Sequence, residues 1–357
     1  MSFPDKKQTS MNFETRHTSL GGTIADFQES PAVSSYGDPQ EEAKAAVSSL
    51  AVLEFPAPDV LEVHGKHAER FLHGLVTSDI KGMGLGTSAW STALNRKGRL
   101  VSDFTVWRLD EKSYRLVIPA GRGKSVGEHL IQHKVAERVE IEWSEKDYGQ
   151  LLIFGPEVTN LLGETQGLSE WVCAGTTITH GPGPDVQLPC RSLLVEHAEI
   201  ESVWDEVVAA GARPMGTRAF DALRVESGFP IFGVEALEDR MPIEVGMDAT
   251  VSFLKGCYVG QEVIAMATYR GHPNRKLMGV RFANEQTAPD AGQHLQFESG
   301  KTGFLTTTAI SPRLDVAAGL AVVHYTVAVE GTKTWIETQE GRIEGQLVEL
   351  PLIKKKA

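Results

Sequence analysis

The sequence predicts an α+β protein that ends in a separate all-β domain, and three observations carry that prediction. Up to Lys276, segments of period-2 and period-3.6 hydrophobicity interleave, with short hairpin signals in place of long crossovers. After Lys276 the texture changes to short strands divided by turn residues, the pattern of a small barrel. The chain has 357 residues, which suits two or three domains at roughly 100–200 residues each.

Residues 1–45 read as a mobile leader, because the first part is rich in Ser, Thr, Gly and Gln. "DPQEEAKAAVSSL" then starts a helix: Asp38 can cap it, Pro39 suits its first position, and Glu41 can return a capping-box bond. Residues 46–145 form a first α+β unit, not necessarily continuous. "VLEVHG" alternates as a strand, and Ala68, Phe71, Leu72, Leu75 and Val76 then make one apolar helical face. "TSAWSTALN" and "RLVSDFTVWRL" pair across "NRKG", with Gly98 in the loop. "SYRLVIP" adds a strand, "GKSVGEHLIQHKV" a helix and "VEIEW" a further strand.

Residues 146–275 form a second α+β unit. Its strands are "YGQLLIFG" and "SLLVEH", and its helices are "ESVWDEVVAAGA" and "GTRAFDALRVESG". Thr217 caps the last helix and Gly228 ends it. Residues 276–357 form the barrel, with strands such as "KLMGVRF", "KTGFLTTTAIS" and "GLAVVHY".

The formal net charge is −12, so bulk attraction to nucleic-acid phosphates is not expected. Lys354 to Lys356 form the only basic run and solubilise the C-terminus. Cys173, Cys190 and Cys257 form no C-x-x-C pair, which argues against a zinc site or a thioredoxin-like motif. Their low, odd number points to a reducing compartment. The histidines form no tight ligand set, and no metal is expected. No apolar run reaches the roughly 18 residues of a membrane span, and the N-terminus lacks the apolar core of a secretory signal. A cytoplasmic protein without membrane partners is the expectation. "AGRGKS" is not a phosphate-binding loop, because the position that needs its first glycine holds Ile118.

Two places carry candidate chemistry. Val101, Asp103, Thr105, Trp107 and Leu109 share one face of a strand. A carboxylate on that mostly apolar face needs a partner or a shifted pKa. Asp103 is either an ordinary ion-paired or sheet-edge acid, or one that hydrogen-bonds a polar heterocycle or handles a proton in a cleft. The second place is "KGCYVGQE". Cys257 is either an inert core thiol or a reactive one. For reactivity speak the Lys255 ammonium within reach of the sulfur, the close ligand approach that Gly256 and Gly260 allow, and a helix opening at Gln261 and Glu262. The basic loop that follows holds Arg270, His272, Arg275 and Lys276; it is either solvated or in contact with an anionic ligand tail.

"FLKGCYVGQEVIA" resembles the K-G-C-[YF]-x-G-Q-E signature of the YgfZ family. These are folate-binding proteins tied to iron–sulfur cluster maturation and related to the T-protein (aminomethyltransferase) of the glycine cleavage system. "RFLHGLVTSDI", "LNRKGRLVSDFTVWRL", "RVESGFPIFG" and "SGKTGFLTTTAISPRLDVAAGLAVV" are similar to further family segments. Together they span about residues 47 to 350. The resemblance implies a three-domain ring, two α+β units and a C-terminal β-barrel, with tetrahydrofolate or a derivative in or near the central opening. It places Asp103 at a catalytic or folate-facing position and Arg224 at the folate site. Cys257 becomes the signature thiol and a second catalytic candidate. Lys255, Tyr258, Gln261 and Glu262 join the ligand-binding set as parts of the signature. The implied function is a tetrahydrofolate-binding accessory factor in iron–sulfur cluster assembly or repair, with the assembly machinery or its client enzymes as partners. The alternative is a folate-dependent aminomethyltransferase of the glycine cleavage type. Two departures from the T-protein favour the first. "HGPGPDVQLPCRSLLVEH" replaces its G-Y-T-G-E-D-G turn, with Glu196 nearby in unmatched surroundings, and Cys257 stands in a segment that resembles K-G-D-F-I-G there.

Overall fold

The computed structural model describes residues 11–283, 287–339 and 341–353. The chain runs through α1 (Met11–Ser19), β1 (Thr23–Phe27), β2 (Ser30–Ser35), α2 (Pro39–Ser48), β3 (Ala51–Phe55), β4 (Asp59–His64) and α3 (Ala68–Leu75). Then come β5 (Ser88–Leu94), β6 (Leu100–Arg108), β7 (Ser113–Ile118), α4 (Gly123–Gln132), β8 (Glu140–Trp143), β9 (Tyr148–Phe154) and α5 (Val158–Leu162). β10 (Ser169–Cys173), β11 (Thr176–Pro182), β12 (Cys190–Glu196), α6 (Ile200–Ala209), β13 (Arg213–Pro214), α7 (Thr217–Ser227) and α8 (Gln261–Tyr269) follow. The last strands are β14 (Arg275–Phe282), β15 (His294–Gln296), β16 (Thr302–Ile310), β17 (Ala317–His324), β18 (Lys333–Thr338) and β19 (Gly341–Val348).

These elements build two α+β layers and a barrel. One sheet is ordered β5-β6-β7-β4-β8 and the other β10-β11-β12-β9-β3-β13. The final six strands close as β14-β17-β16-β15-β18-β19. The first sheet buries Leu61, Phe104 and Val106 against Phe71 and Leu72 of α3 and Val126 and Leu130 of α4. Period-2 alternation sends Trp107 to the opposite face, where it meets Tyr148 and Leu194 of the second sheet. The second sheet is covered on both sides, by Trp204 and Val207 of α6 and by Phe220 and Leu223 of α7. It is also discontinuous in sequence: β3 lies before the first sheet, yet pairs antiparallel with β9.

The leader expected over residues 1–45 is ordered from Met11 onward; residues 1–10 lie outside the described residues. Several of its anchors are polar, which is why its composition resembled a mobile tail. His17 is fully buried; its Nδ1 shares a 2.5 Å hydrogen bond with Tyr36 Oη, and its Nε2 lies 3.1 Å from Glu54 Oε2. The Trp204 ring meets His17 edge-on at 5.0 Å. Asp38 caps α2 by accepting from the Gln40 amide at 2.9 Å, but Glu41 pairs with Lys44 instead of closing a capping box. Its neighbour Glu42 accepts from the Tyr36 and Gly216 amides at 2.7 and 2.8 Å, tying the leader to the start of α7. Gly216, not Thr217, precedes α7, and Gly228 ends it in the left-handed conformation at φ +75°. No helix among the described residues is long and apolar enough to cross a membrane.

Candidate functional site

Between the two sheets lies a cavity of about 350 Å³, within the size range of small-molecule sites. Strands β5, β6 and β7 supply one wall and β3, β9 and β12 the other. The tip of the β1–β2 hairpin and the loop after α7 close the sides. Much of the lining is aromatic, including Phe55, Trp90, Trp107 and Phe229. Trp90 and Phe229 stack at 4.9 Å with planes 25° apart.

Asp103 is the buried acid of this cavity. Trp90 Nε1 donates to its Oδ2 at 2.8 Å, and its Oδ1 is buried with no partner among the described residues. Burial pushes the Asp103 carboxyl up to about 6, and the Trp90 hydrogen bond offsets only part of that rise. The other polar lining groups include Gln28, Gln150 and Asp185, while among the described residues no Lys, Arg or His lines the cavity. Its acidic and amide groups therefore offer acceptors to a ligand, with no cation to neutralise one.

The remaining sequence candidates do not line this cavity. Arg224 is almost fully buried, and all five of its N–H donors are used within the protein. Nε and Nη2 donate to Asp221 Oδ1 at 3.1 and 2.7 Å, and Nη2 also to Thr307 Oγ1 at 3.1 Å. Nη1 donates to Glu235 Oε2 at 2.9 Å and to the Phe229 carbonyl at 3.0 Å. Arg224, expected at the ligand site, instead fixes the backbone of Phe229 in this structure, and the Phe229 ring walls the cavity.

Lys255 likewise has its partners within the protein. Helix α3 ends at Leu75, and its last carbonyls lack helical partners. Lys255 Nζ reaches into that gap and donates to the carbonyls of His73, Val76 and Ser78 at 2.6, 2.7 and 2.8 Å. An ammonium there also suits the negative end of the helix. Burial pushes Lys255 down to about 8. The cation braces a turn, whereas the sequence suggested that it attends the thiol.

Cys257 is exposed, in the loop before α8. Gly260 precedes α8 at φ +84°, and a Cβ there would stand 2.7 Å from the Asn95 carbonyl. This glycine therefore serves the packing of α8 onto the β5–β6 turn rather than ligand approach. Tyr258 packs in a core with Leu94, Leu100 and Ile264. Gln261 and Glu262 open α8, and Glu262 points to solvent. Glu196 is exposed and pairs with Lys146.

Sequence reasoning missed Gln28, Trp90, Phe229, Gln150 and Asp185. Trp90 was within reach: the β5–β6 register opposes Thr92 to Asp103 and Trp90 to Thr105, so Trp90 is the acid's diagonal neighbour. Asp185 lies in the "GPGPD" stretch that stands in place of the G-Y-T-G-E-D-G turn, and it lines the cavity.

Comparison with known proteins agrees with this architecture. A GCVT N-terminal domain model matches residues 13–173 and 192–255, and a glycine cleavage T-protein C-terminal barrel model matches residues 275–354. The chain belongs to the glycine cleavage T-protein family. An aminomethyltransferase of Exiguobacterium sibiricum is 28% identical, the alignment covering 94% of both chains. One of Halalkalibacterium halodurans is 27% identical over 94% of this chain and 95% of its own. The crystal structure of glycine cleavage system aminomethyltransferase T from Bartonella henselae superposes with a TM-score of 0.87 at 18% identity, covering 97% of this chain and 98% of that one. The T-protein fold, with α+β layers and a closed six-stranded barrel, is thus established for this chain. Neither T-protein family model covers residues 256–274, the segment that holds Cys257 and α8.

Proposed function

We propose that the cavity at Asp103 binds the pterin ring of tetrahydrofolate or a derivative, and that the chain carries out folate-dependent one-carbon transfer of the aminomethyltransferase kind. The orphaned Asp103 Oδ1 carries this proposal. A pterin is flat and bears N–H donors along its edge. A buried unpaired acceptor between aromatic walls, with no competing cation, is complementary to such a ring. The family and the names of its relatives support the same reading. Asp103 is poised to exchange a proton near neutral pH, and its anion can stabilise positive charge that develops on a ligand amine. Anaerobic calorimetric titration with tetrahydrofolate tests the site. Saturable micromolar binding, about −8 kcal/mol, is expected, weakened at least about tenfold in Asp103→Ala. An absence of saturable binding sinks the proposal. Formation of methylenetetrahydrofolate from an aminomethyl-lipoyl carrier then tests the transfer.

A second reading rests on Cys257: an accessory factor that presents a thiol during iron–sulfur cluster assembly or repair. It is favoured by exposure of that thiol outside the cavity. One thiol cannot hold a cluster that normally takes four ligands, so a partner would supply the others. Burial pushes Cys173 up to about 12 and Cys190 well above the usual thiol range. The native protein should therefore titrate one fast thiol with an aromatic disulfide reagent, and all three after unfolding. Loss of the fast thiol in Cys257→Ser assigns it. Full support of a cluster enzyme by Cys257→Ala in a deletion strain would remove this reading.

A further inference from the structure

Gln28 and Glu29 form the two-residue tip between β1 and β2, and both hold positive φ, +54° and +63°. Two-residue hairpin tips adopt this conformation readily when Asn-Gly or Asp-Gly supplies it. Gln and Glu carry a Cβ that is strained there, and such strain persists where surrounding contacts over-determine the backbone. One such contact is visible. Gln28 Nε2 donates to the Phe232 carbonyl at 2.5 Å, across 204 positions of sequence. A carbonyl only accepts, so the group that faces it is the amide NH2, and Oε1 is the end left over. No described residue donates to that oxygen. Gln28 lines the same cavity as Asp103.

We propose that Gln28 Oε1 accepts an N–H from the ligand's aminopyrimidine edge, which makes Gln28 a specificity-determining residue of the site. The inference rests on the folate reading and deepens it. It assigns a ligand contact to a segment whose composition resembled a mobile tail. The anchor on Phe232 explains why a glutamine is used here: one end of the amide is fixed by the protein and the other is presented to the ligand. A glutamate could not donate to that carbonyl, and an alanine would present nothing.

The test compares tetrahydrofolate with its 2-desamino analogue by titration against the wild-type chain, Gln28→Ala and Glu29→Gly. Gln28→Ala should weaken tetrahydrofolate about tenfold and leave the analogue unchanged, so that discrimination between the two collapses. Glu29→Gly removes one strained Cβ and keeps Gln28. It should raise the thermal midpoint and leave both affinities as they were. If Gln28→Ala weakens both compounds equally, or neither, the inference is overturned while the folate reading stands. If the wild-type chain binds neither compound, the folate reading falls and takes the inference with it.

Discussion

Asp103→Asn is expected to make the ligand-free protein more stable at pH 7 by about 3 kcal/mol. The Asp103 carboxyl rises from 3.8 to about 6 on folding, and each pKa unit corresponds to about 1.4 kcal/mol. The sign follows from which state binds the proton more tightly. The native state does, so the Asp103 contribution to stability falls as pH rises from about 4 through about 6 and levels off above. Asparagine keeps an acceptor for Trp90 Nε1 and carries no charge, so the fall should disappear in the variant. Urea denaturation from pH 3.5 to 7.5 measures both curves. Parallel curves would mean that Asp103 does not carry a buried, unpaired charge. Weaker tetrahydrofolate binding by the more stable variant would show a group kept for function at the expense of stability.

Arg224→Met should destabilise the protein by about 3–5 kcal/mol, because it leaves the fully buried carboxylate of Glu235 without its cation. The double variant Arg224→Met, Glu235→Met should recover much of that loss, since it removes the orphaned charge as well. Chemical denaturation of the two variants checks this, and a loss below about 1 kcal/mol in Arg224→Met would show that the cluster relaxes around water. The effect reaches beyond one helix. Arg224 joins α7 to Thr307 of β16, and two residues on Glu226 accepts from Ser311 and, at 2.6 Å, from Arg313 Nε. Helix α7 therefore holds the barrel through buried charge as well as through apolar packing.

What the sequence made legible is what local chemistry decides. The hairpin around Gly98, the left-handed end of α7 at Gly228 and the change of texture after Lys276 each follow from a few adjacent residues. Asp103 was legible because strand alternation puts it on the face opposite Phe104. The site as a whole was not, because its second wall comes from β3, β9 and β12, and no sequence period joins those segments to β6. The partners of Arg224 and Lys255 were not legible for a related reason. A cation in a striking motif looks available to a ligand, and only the fold shows that backbone carbonyls and buried carboxylates already hold it. The leader misled in reverse, since its anchors include the buried His17 and Glu42 and the half-buried Tyr36, beside small apolar residues such as Ala32 and Val33, and no leucine.

The discontinuous second sheet sets a timetable for synthesis. β3 emerges from the ribosome before the whole of the first sheet, and its antiparallel partner β9 emerges after it. At roughly 5–20 residues per second, the interval is on the order of 5–20 s. Sheet strands β4 to β8 can pair among themselves in that time, while β3, with the apolar Val52 and Leu53, has both edges open. The nascent chain thus completes an inserted unit first and must shelter one waiting strand until the remainder of its sheet arrives.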